Sequence, residues 1–307
     1  MNVYLVDGNS FFYRAYHAIK SLTNSKGFPT NAIYGFTTML MKILKEKKPD
    51  ALAIAFDSKE PTGRHQMYEL YKAHRPETPG DLIRQIPRIK EVIAALRIPT
   101  FEMPGYEADD IIATLARQCA AQKANVFILT GDKDMMQAVN DRIRIYDPMK
   151  DLVIDTAGVV ERFGVPPARV PEVMALMGDA ADNIPGVKGI GEKTAKELIQ
   201  KAGSLEVLLA DPNRHATPRI AVMIQEQIDS VHMSRTLATI NADVPVSADP
   251  GSLAIQQPDW PALLELFAEF EFRSLLKQVP AAGHKPRAHY EAITDRHALL
   301  DFIGMQA

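Results

Sequence analysis

The sequence predicts an α/β fold: a mainly parallel sheet flanked by helices, then a smaller helical region. Three features carry this. Short apolar runs alternate with helix-period patterns through the first half, three of those runs lead into aspartates, and the strand pattern stops near Val165.

Residues 3–6 read as the first strand. Ile33, Phe36, Leu40, Ile43 and Leu44 mark a helix ending near Pro49, and residues 51–56 form a second strand. Asp81 is expected to cap a helix with Leu82, Ile86, Ile89, Ile93 and Leu96 on one face. Residues 111–121 make another helix, 126–129 a strand, and 143–146 and 152–154 shorter strands. Short helices follow at 170–177, 194–201, 204–209 and 220–231, separated by Pro and Gly. An amphipathic stretch at 258–276 holds Trp260, which reads as core with Leu264, Phe267 and Phe270. Residues 280–289 have linker composition.

Composition excludes several classes. No apolar run approaches the roughly 18 residues of a membrane span. The start has no basic n-region and meets Asp7 at once, unlike a signal peptide. The single cysteine, Cys119, excludes an internal disulfide and a cysteine-rich zinc site, and its apolar setting reads as core. A cytoplasmic location is expected. The net charge of −3 is a poor guide to partners. Nine of the 38 acids fall in one candidate cluster, and setting them aside leaves 29 against 35 Lys and Arg.

That cluster is the main chemical signal. Asp7, Asp57 and the pair Asp132 and Asp134 each follow a predicted strand, and open parallel sheets bind ligands at the carboxyl ends of their strands. One such aspartate is usually a turn or cap residue. Four on one edge would repel one another unless a cation were present, so the capping explanation weakens with each. Glu107, Asp109 and Asp110 open a helix, and Asp179 and Asp182 open the second half. Helical spacing alone pairs Glu107 with Asp110; Glu107 meets Asp109 only if it lies before the first full turn. Oxygen ligands without an H-x-x-x-H or Cys-His pattern suit hard cations rather than zinc. So many acids point to two ions roughly 3.5–4 Å apart, a phosphoryl-transfer arrangement.

Two basic segments accompany the acids. Residues 64–76 carry Arg64, Tyr71, Lys72, His74 and Arg75. A solvated face would account for such charge; directly after a strand end, the segment also suits single-stranded nucleic acid, with Tyr71 stacking on a base. Residues 186–195 nearly match a P-loop, with Gly186 and Gly191 correctly spaced, but Glu192 stands where the lysine must be. Gly186, Gly189 and Gly191 ahead of a helix start at Thr194 suit a hairpin whose amides face a DNA phosphate, with Lys188, Lys193 and Lys196 adding charge.

In order, these motifs closely resemble the flap endonuclease family, in the form of the 5′ nuclease (5′-3′ exonuclease) domain of bacterial DNA polymerase I. The resemblance covers about residues 1–280. It rests on Val6-Asp7-Gly8-Asn9-Ser10, Tyr13-Arg14-Ala15-Tyr16-His17, Tyr34-Gly35-Phe36 and Phe56-Asp57, then Tyr71 to Pro76, Glu107 to Asp110, Thr130 to Asp134, and Met177 through Ala195. It implies a PIN-like core at 1–164 with a helical arch near 60–90. A helical DNA-binding region at 165–280 would follow, with a helix-hairpin-helix near 183–201. Asp7, Asp57, Glu107, Asp109 and Asp132 would hold or orient one Mg²⁺; Asp134, Asp179 and Asp182 would lie around a second, with Asp110 accessory and Mn²⁺ able to substitute. Lys72 and Arg75 would stabilise charge on the scissile phosphate, and Arg14 and Arg64 would contact DNA. The implied substrate is DNA with a 5′ flap or nick, RNA primers being tolerated, cut by a monomer. Gly63 departs from the pattern, standing where the family is expected to have a bulky aromatic.

The resemblance also implies polymerase domains beyond a linker, with residues 281–307 as the linker and start of the next domain; a free-standing flap endonuclease is the alternative. An aspartyl-phosphate phosphatase would need an acid two residues after Asp7, where Asn9 stands. A non-catalytic DNA-junction binder has no need of nine placed carboxylates.

Overall fold

A computed structural model describes residues 1–280; the expected linker and following β-α unit at 281–307 lie outside the described residues. The elements run β1 (Asn2–Asp7), α1 (Gly8–Ala18), α2 (Asn31–Glu46), β2 (Ala51–Phe56), α3 (Gly63–Met67), α4 (Gly80–Ala95), β3 (Thr100–Glu102) and α5 (Ala108–Ala121). Next come β4 (Asn125–Leu129), β5 (Ile143–Asp147), β6 (Leu152–Ile154), α6 (Thr156–Phe163) and α7 (Val170–Met177). The chain continues with α8 (Glu192–Ala202), α9 (Leu205–Ala210), α10 (Pro212–His215), α11 (Pro218–Glu226), α12 (Ile228–Ala238), α13 (Trp260–Glu269) and α14 (Arg273–Leu276).

The sheet order is β3-β2-β1-β4-β5-β6, parallel except for β6 against β5. The chain first winds outward from β1 through β2 to β3, then crosses to β4 on the other side. That reversal makes a switch point between β1 and β4, where a crevice opens at the carboxyl edge. Successive side chains of β1 face opposite ways, as the pleat requires. Val3 and Leu5 join a core with α5, α7 and α8; Tyr4 and Val6 join a second core with α1, α2 and α4. Helices on both faces explain why β2 is buried along its whole length.

The chain does not stay in its second half. Leu52 donates its backbone N–H to Leu253 and Ile255 donates to Asp50, and Leu263, Phe267, Phe270, Phe272 and Leu275 then complete the second core. The stretch expected to close a helical region at 165–280 therefore returns to the α/β half, because its apolar stripe covers α2 and α4.

Other expectations shift locally. Asp81 lies inside the first turn of α4, whose N-cap is Pro79. The helix expected at 220–231 divides at Gln227, whose side chain accepts from the Lys188 N–H at 2.8 Å and donates to the Met223 carbonyl. The 258–276 stretch divides near Glu271, at φ 61°. Where a helical arch is expected near 60–90, residues 63–79 contain one five-residue helix and turns, and α4 follows. Gly63 begins that helix, and a side chain there would meet open space.

Phe267 is fully buried in the second core, on α13 where it packs against α4. Phe267→Ala should lower the unfolding free energy by about 3–5 kcal/mol in a urea titration. A loss below about 1 kcal/mol, the scale of an ordinary surface change, would show that the returning segment is not part of the core.

Candidate active site

Each acid reaches the carboxyl edge by a local rule. β1 ends at Asp7, which caps α1: one oxygen accepts from the Ser10 N–H at 2.9 Å and the other from Thr130 Oγ1 at 3.0 Å. β2 ends one residue before Asp57, which accepts from the Ala108 N–H at 2.8 Å, while its own N–H is held by Asn9 Oδ1 at 3.0 Å. Glu107 is the N-cap of α5 with an extended backbone, and Asp109 lies in the first turn. After β4 the chain turns through Thr130 and Gly131, with the Asp132 N–H bonded to Thr130 Oγ1 and the Asp134 N–H to Asp132 Oδ1.

The helical half delivers the rest. α7 ends at Gly178, φ 70°, and Asp179 and Ile184 exchange backbone hydrogen bonds around a tight loop. Gly178 and Gly186 touch there: a Cβ on Gly186 would stand 2.3 Å from Gly178 N. Only two glycines permit that approach. The loop carries Asp179 and Asp182 toward the sheet edge.

A cleft of roughly 610 Å³ results, lined by Asp7, Asp57, Asp109, Asp132, Asp179 and Asp182. Arg14, Lys72 and Arg75 line it too, as do Lys133 and Arg162, which the sequence did not single out. Lys133 follows Asp132 directly and binds Asp179 at 3.2 Å; Arg162 comes from α6, which no motif marked. Glu107 faces an adjoining cleft that shares Asp57, Lys72 and Arg75.

The segment between α3 and α4 lies over the acids as a lid. Lys72 Nζ reaches Glu107 at 3.0 Å and Asp182 at 3.6 Å, and Arg75 binds Asp182 at 2.5 Å. The Lys72 N–H also donates to the Asp182 carbonyl. These charges hold the Asp182 carboxyl below its usual range although burial acts the other way. Five other carboxyls are pushed up. Burial, reinforced by Asp57 and Asp132, raises Asp7 to about 7. Burial with Asp132, Asp179 and Asp182 nearby raises Asp134 to about 9. Burial and like charges also raise Asp57, Asp109 and Asp132.

Several expected site residues stand elsewhere. Tyr71 has no free face for a base: it is 3% exposed, and its hydroxyl contacts Glu107 at 3.2 Å and Asp182 at 3.0 Å. Arg64, expected on DNA, is recessed and forks onto Asp110, both contacts being 2.8 Å. Asp110, expected as an accessory ligand, has its oxygens occupied by that fork and by the Asn241 and Glu107 N–H groups. Gly186 is buried, its N–H bonded to Ser234 and its carbonyl to Ser230. Lys196 is drawn to Glu192 and the Arg162 carbonyl, each at 2.5 Å. Lys188, Gly189, Gly191 and Lys193 remain exposed at the start of α8, with Thr194 half-buried.

The donor set suits a hard divalent cation. The acid side chains facing the cleft offer only oxygen, and Asp109 Oδ1 and Asp134 Oδ1 are buried without a hydrogen-bond partner. Among the described residues no three acidic, His or Cys side chains converge to hold an ion unaided. Hard cations that keep part of their water shell and take substrate oxygens do not require such convergence.

A parallel sheet gathering carboxylates at its carboxyl edge, under a cationic lid, is the framework of a metal-dependent nuclease. Residues 2–164 match the 5′-3′ exonuclease N-terminal resolvase-like domain, and residues 165–261 the 5′-3′ exonuclease C-terminal SAM fold. The chain belongs to the 5′-3′ exonuclease family. It is 39% identical to the Aquifex aeolicus 5′-3′ exonuclease, covering 90% of this chain and 94% of that one. It is 42% identical to thermostable DNA polymerase I of Thermus aquaticus, covering 90% of this chain but only 33% of the polymerase. The fold matches the bacteriophage T5 D15 protein co-crystallised with metal ions at a TM-score of 0.66 and 17% identity, over 91% and 99% of the two chains. Among the described residues no helix is long and apolar enough to cross a membrane.

The raised carboxyls set a pH dependence. A group with a higher pKa folded than unfolded binds more protons in the folded state, so stability falls as pH rises through that interval. For Asp7 and Asp134 the interval runs from the unfolded value of about 4 up to about 7 and about 9. Asp182, lowered, loses its contribution only as pH falls below the unfolded value. In EDTA, Tm should therefore fall between pH 6 and 8.5, and a divalent ion should reduce the fall. A Tm that rises across that range would mean that burial and like charges do not raise these carboxyls.

Proposed function

We propose that the chain is a structure-specific 5′ nuclease hydrolysing DNA phosphodiester bonds at 5′ flaps and 5′ ends, for primer removal, nick translation and repair. The observation that carries this reading is the cleft itself, where six carboxylates from both halves of the chain lie beside five cationic side chains. Acids alone would suit a cation store and cations alone an anion site; their mixture suits a metal-assisted phosphodiester reaction.

Asp7, Asp57, Asp109 and Asp132 would hold one Mg²⁺, with Glu107 orienting it through the shared rim. Asp134, Asp179 and Asp182 would lie around a second. The chemistry such ions supply is a lowered pKa for the attacking water and offset charge on the departing oxygen. Lys72 and Arg75 exchange Glu107 and Asp182 for the scissile phosphate when DNA enters, and there spread its developing charge. Arg14, Lys133 and Arg162 line the cleft along the path of the neighbouring phosphates. Lys188 and Lys193, beside the amides that open α8, grip duplex without reading its sequence. Tolerance of RNA primers, substitution by Mn²⁺ and action as a monomer belong to the same reading.

The deciding experiment is a 5′-labelled flap duplex incubated with the protein and Mg²⁺, with EDTA as control. A short 5′-phosphorylated product in the Mg²⁺ arm alone is expected; an intact flap in both arms would remove the nuclease reading. In that assay Asp132→Asn should abolish cleavage while Tm stays equal or rises, since a like charge leaves the cluster. Near-normal turnover would take Asp132 out of the site.

Lys72→Ala should slow single-turnover cleavage on the order of 10²-fold, the usual cost of losing an electrostatic stabiliser. A variant that binds flap DNA weakly but cuts the bound complex at the normal rate would make Lys72 a grip residue only.

A further inference from the structure

The Arg64–Asp110 pair lines neither the cleft of six carboxylates nor its lid, though Arg64 Nη1 stands 3.3 Å from Glu107 Oε2. The two side chains are 12% and 4% exposed, and the guanidinium meets both carboxylate oxygens. Its other contacts are Nε to the Leu237 carbonyl at 3.0 Å and Nη2 to the Thr239 carbonyl at 2.9 Å, at the end of α12. One planar group thus joins the start of the lid, the first turn of α5 and the C-terminus of α12. Lysine would supply the charge but not this fork.

The pair also serves backbone groups, Asp110 accepting from the Glu107 and Asn241 N–H groups while Arg64 donates to the two carbonyls, so it fixes where three segments meet. Beyond α3 the lid is seated by the buried Tyr71 and by the Asn183 amide, which donates to the Leu70 carbonyl at 2.7 Å; α3 itself is loosely held. No residue of α3 is buried, and Met67 and Leu70 are 52% and 54% exposed. At its other end the Tyr13 hydroxyl meets Thr78 Oγ1 at 2.5 Å. Lys72 and Arg75 lie between these two tethers. α12 in turn supplies Ser230 and Ser234, which hold Gly186 and so the loop bearing Asp179 and Asp182.

We infer that Arg64 is a positioning residue: braced on Asp110, it sets the seat of the lid so that Lys72 and Arg75 meet the scissile phosphate. It ties that seat to the helical half that grips duplex. The inference rests on the nuclease reading.

The test compares the full chain with Arg64→Lys and with the double variant Arg64→Met/Asp110→Leu. Single-turnover flap cleavage in Mg²⁺, flap-DNA Kd in EDTA, Tm and thermolysin cutting within residues 64–79 are measured. Both variants should cleave about 10²-fold more slowly, the cost of misplacing a reacting group by about an ångström. Kd should stay unchanged and the lid should be cut faster at a temperature where both variants are folded; the double variant should melt lower, since it strips partners from four backbone groups. Wild-type cleavage rates in either variant would overturn the inference. So would a loss confined to Kd, which would make Arg64 a DNA grip. If the double variant does not fold, Arg64→Lys decides alone. An unmodified protein that leaves the flap intact would instead fail the nuclease reading, and the thermolysin comparison would still report on the lid.

Discussion

Repulsion among carboxylates at one edge of a sheet is the constraint on which the rest of this structure depends. Strand ends at β1, β2 and β4 place Asp7, Asp57 and Asp132 within one crevice, and Asp109, Asp179 and Asp182 close around them. A fold selected for stability would disperse such charges. Here the surrounding structure contains them: Ser10 and Thr130 hold Asp7, the start of α5 holds Asp57, and three lid side chains hold Glu107 and Asp182. Burial, with like charges beside it, still pushes Asp7 up to about 7 and Asp134 up to about 9.

Much of this was legible in the sequence, and the reasons differ by element. β1, β2 and β4 are apolar runs too short for helices and each is followed by an acid, so both strand and edge could be read together. α2 and α5 announce themselves by apolar spacing. β3 did not, because three residues at the sheet edge, none of them buried, carry no periodicity. α6 was missed for want of a motif, and Arg162 with it. The break at Gln227 is invisible locally, since it serves a hydrogen bond to Lys188, 39 residues away.

The candidate site was legible as a set of residue types but not as a set of partners. Sequence grouped Glu107, Asp109 and Asp110 by proximity; an N-cap backbone sends Glu107 toward the lid and Asp109 into the cleft, while Asp110 turns to Arg64. In the same way Tyr71, placed among cations and near a strand end, suggested an exposed platform. Its hydroxyl instead lies between two carboxylates, a position set by the chain from residue 182 that no local pattern encodes.

The order in which the acids occur along the chain has a consequence for synthesis. A nuclease emerging from the ribosome is a hazard to any nucleic acid nearby. Residues 1–150 contain Asp7, Asp57, Asp109 and Asp132, yet Asp179 and Asp182 lie beyond them, and the apolar cover of α2 and α4 comes from residues 263–275. The cleft therefore lacks two of its six carboxylates until residue 182 has been made, and the core behind α2 and α4 stays open until residues 263–275 follow.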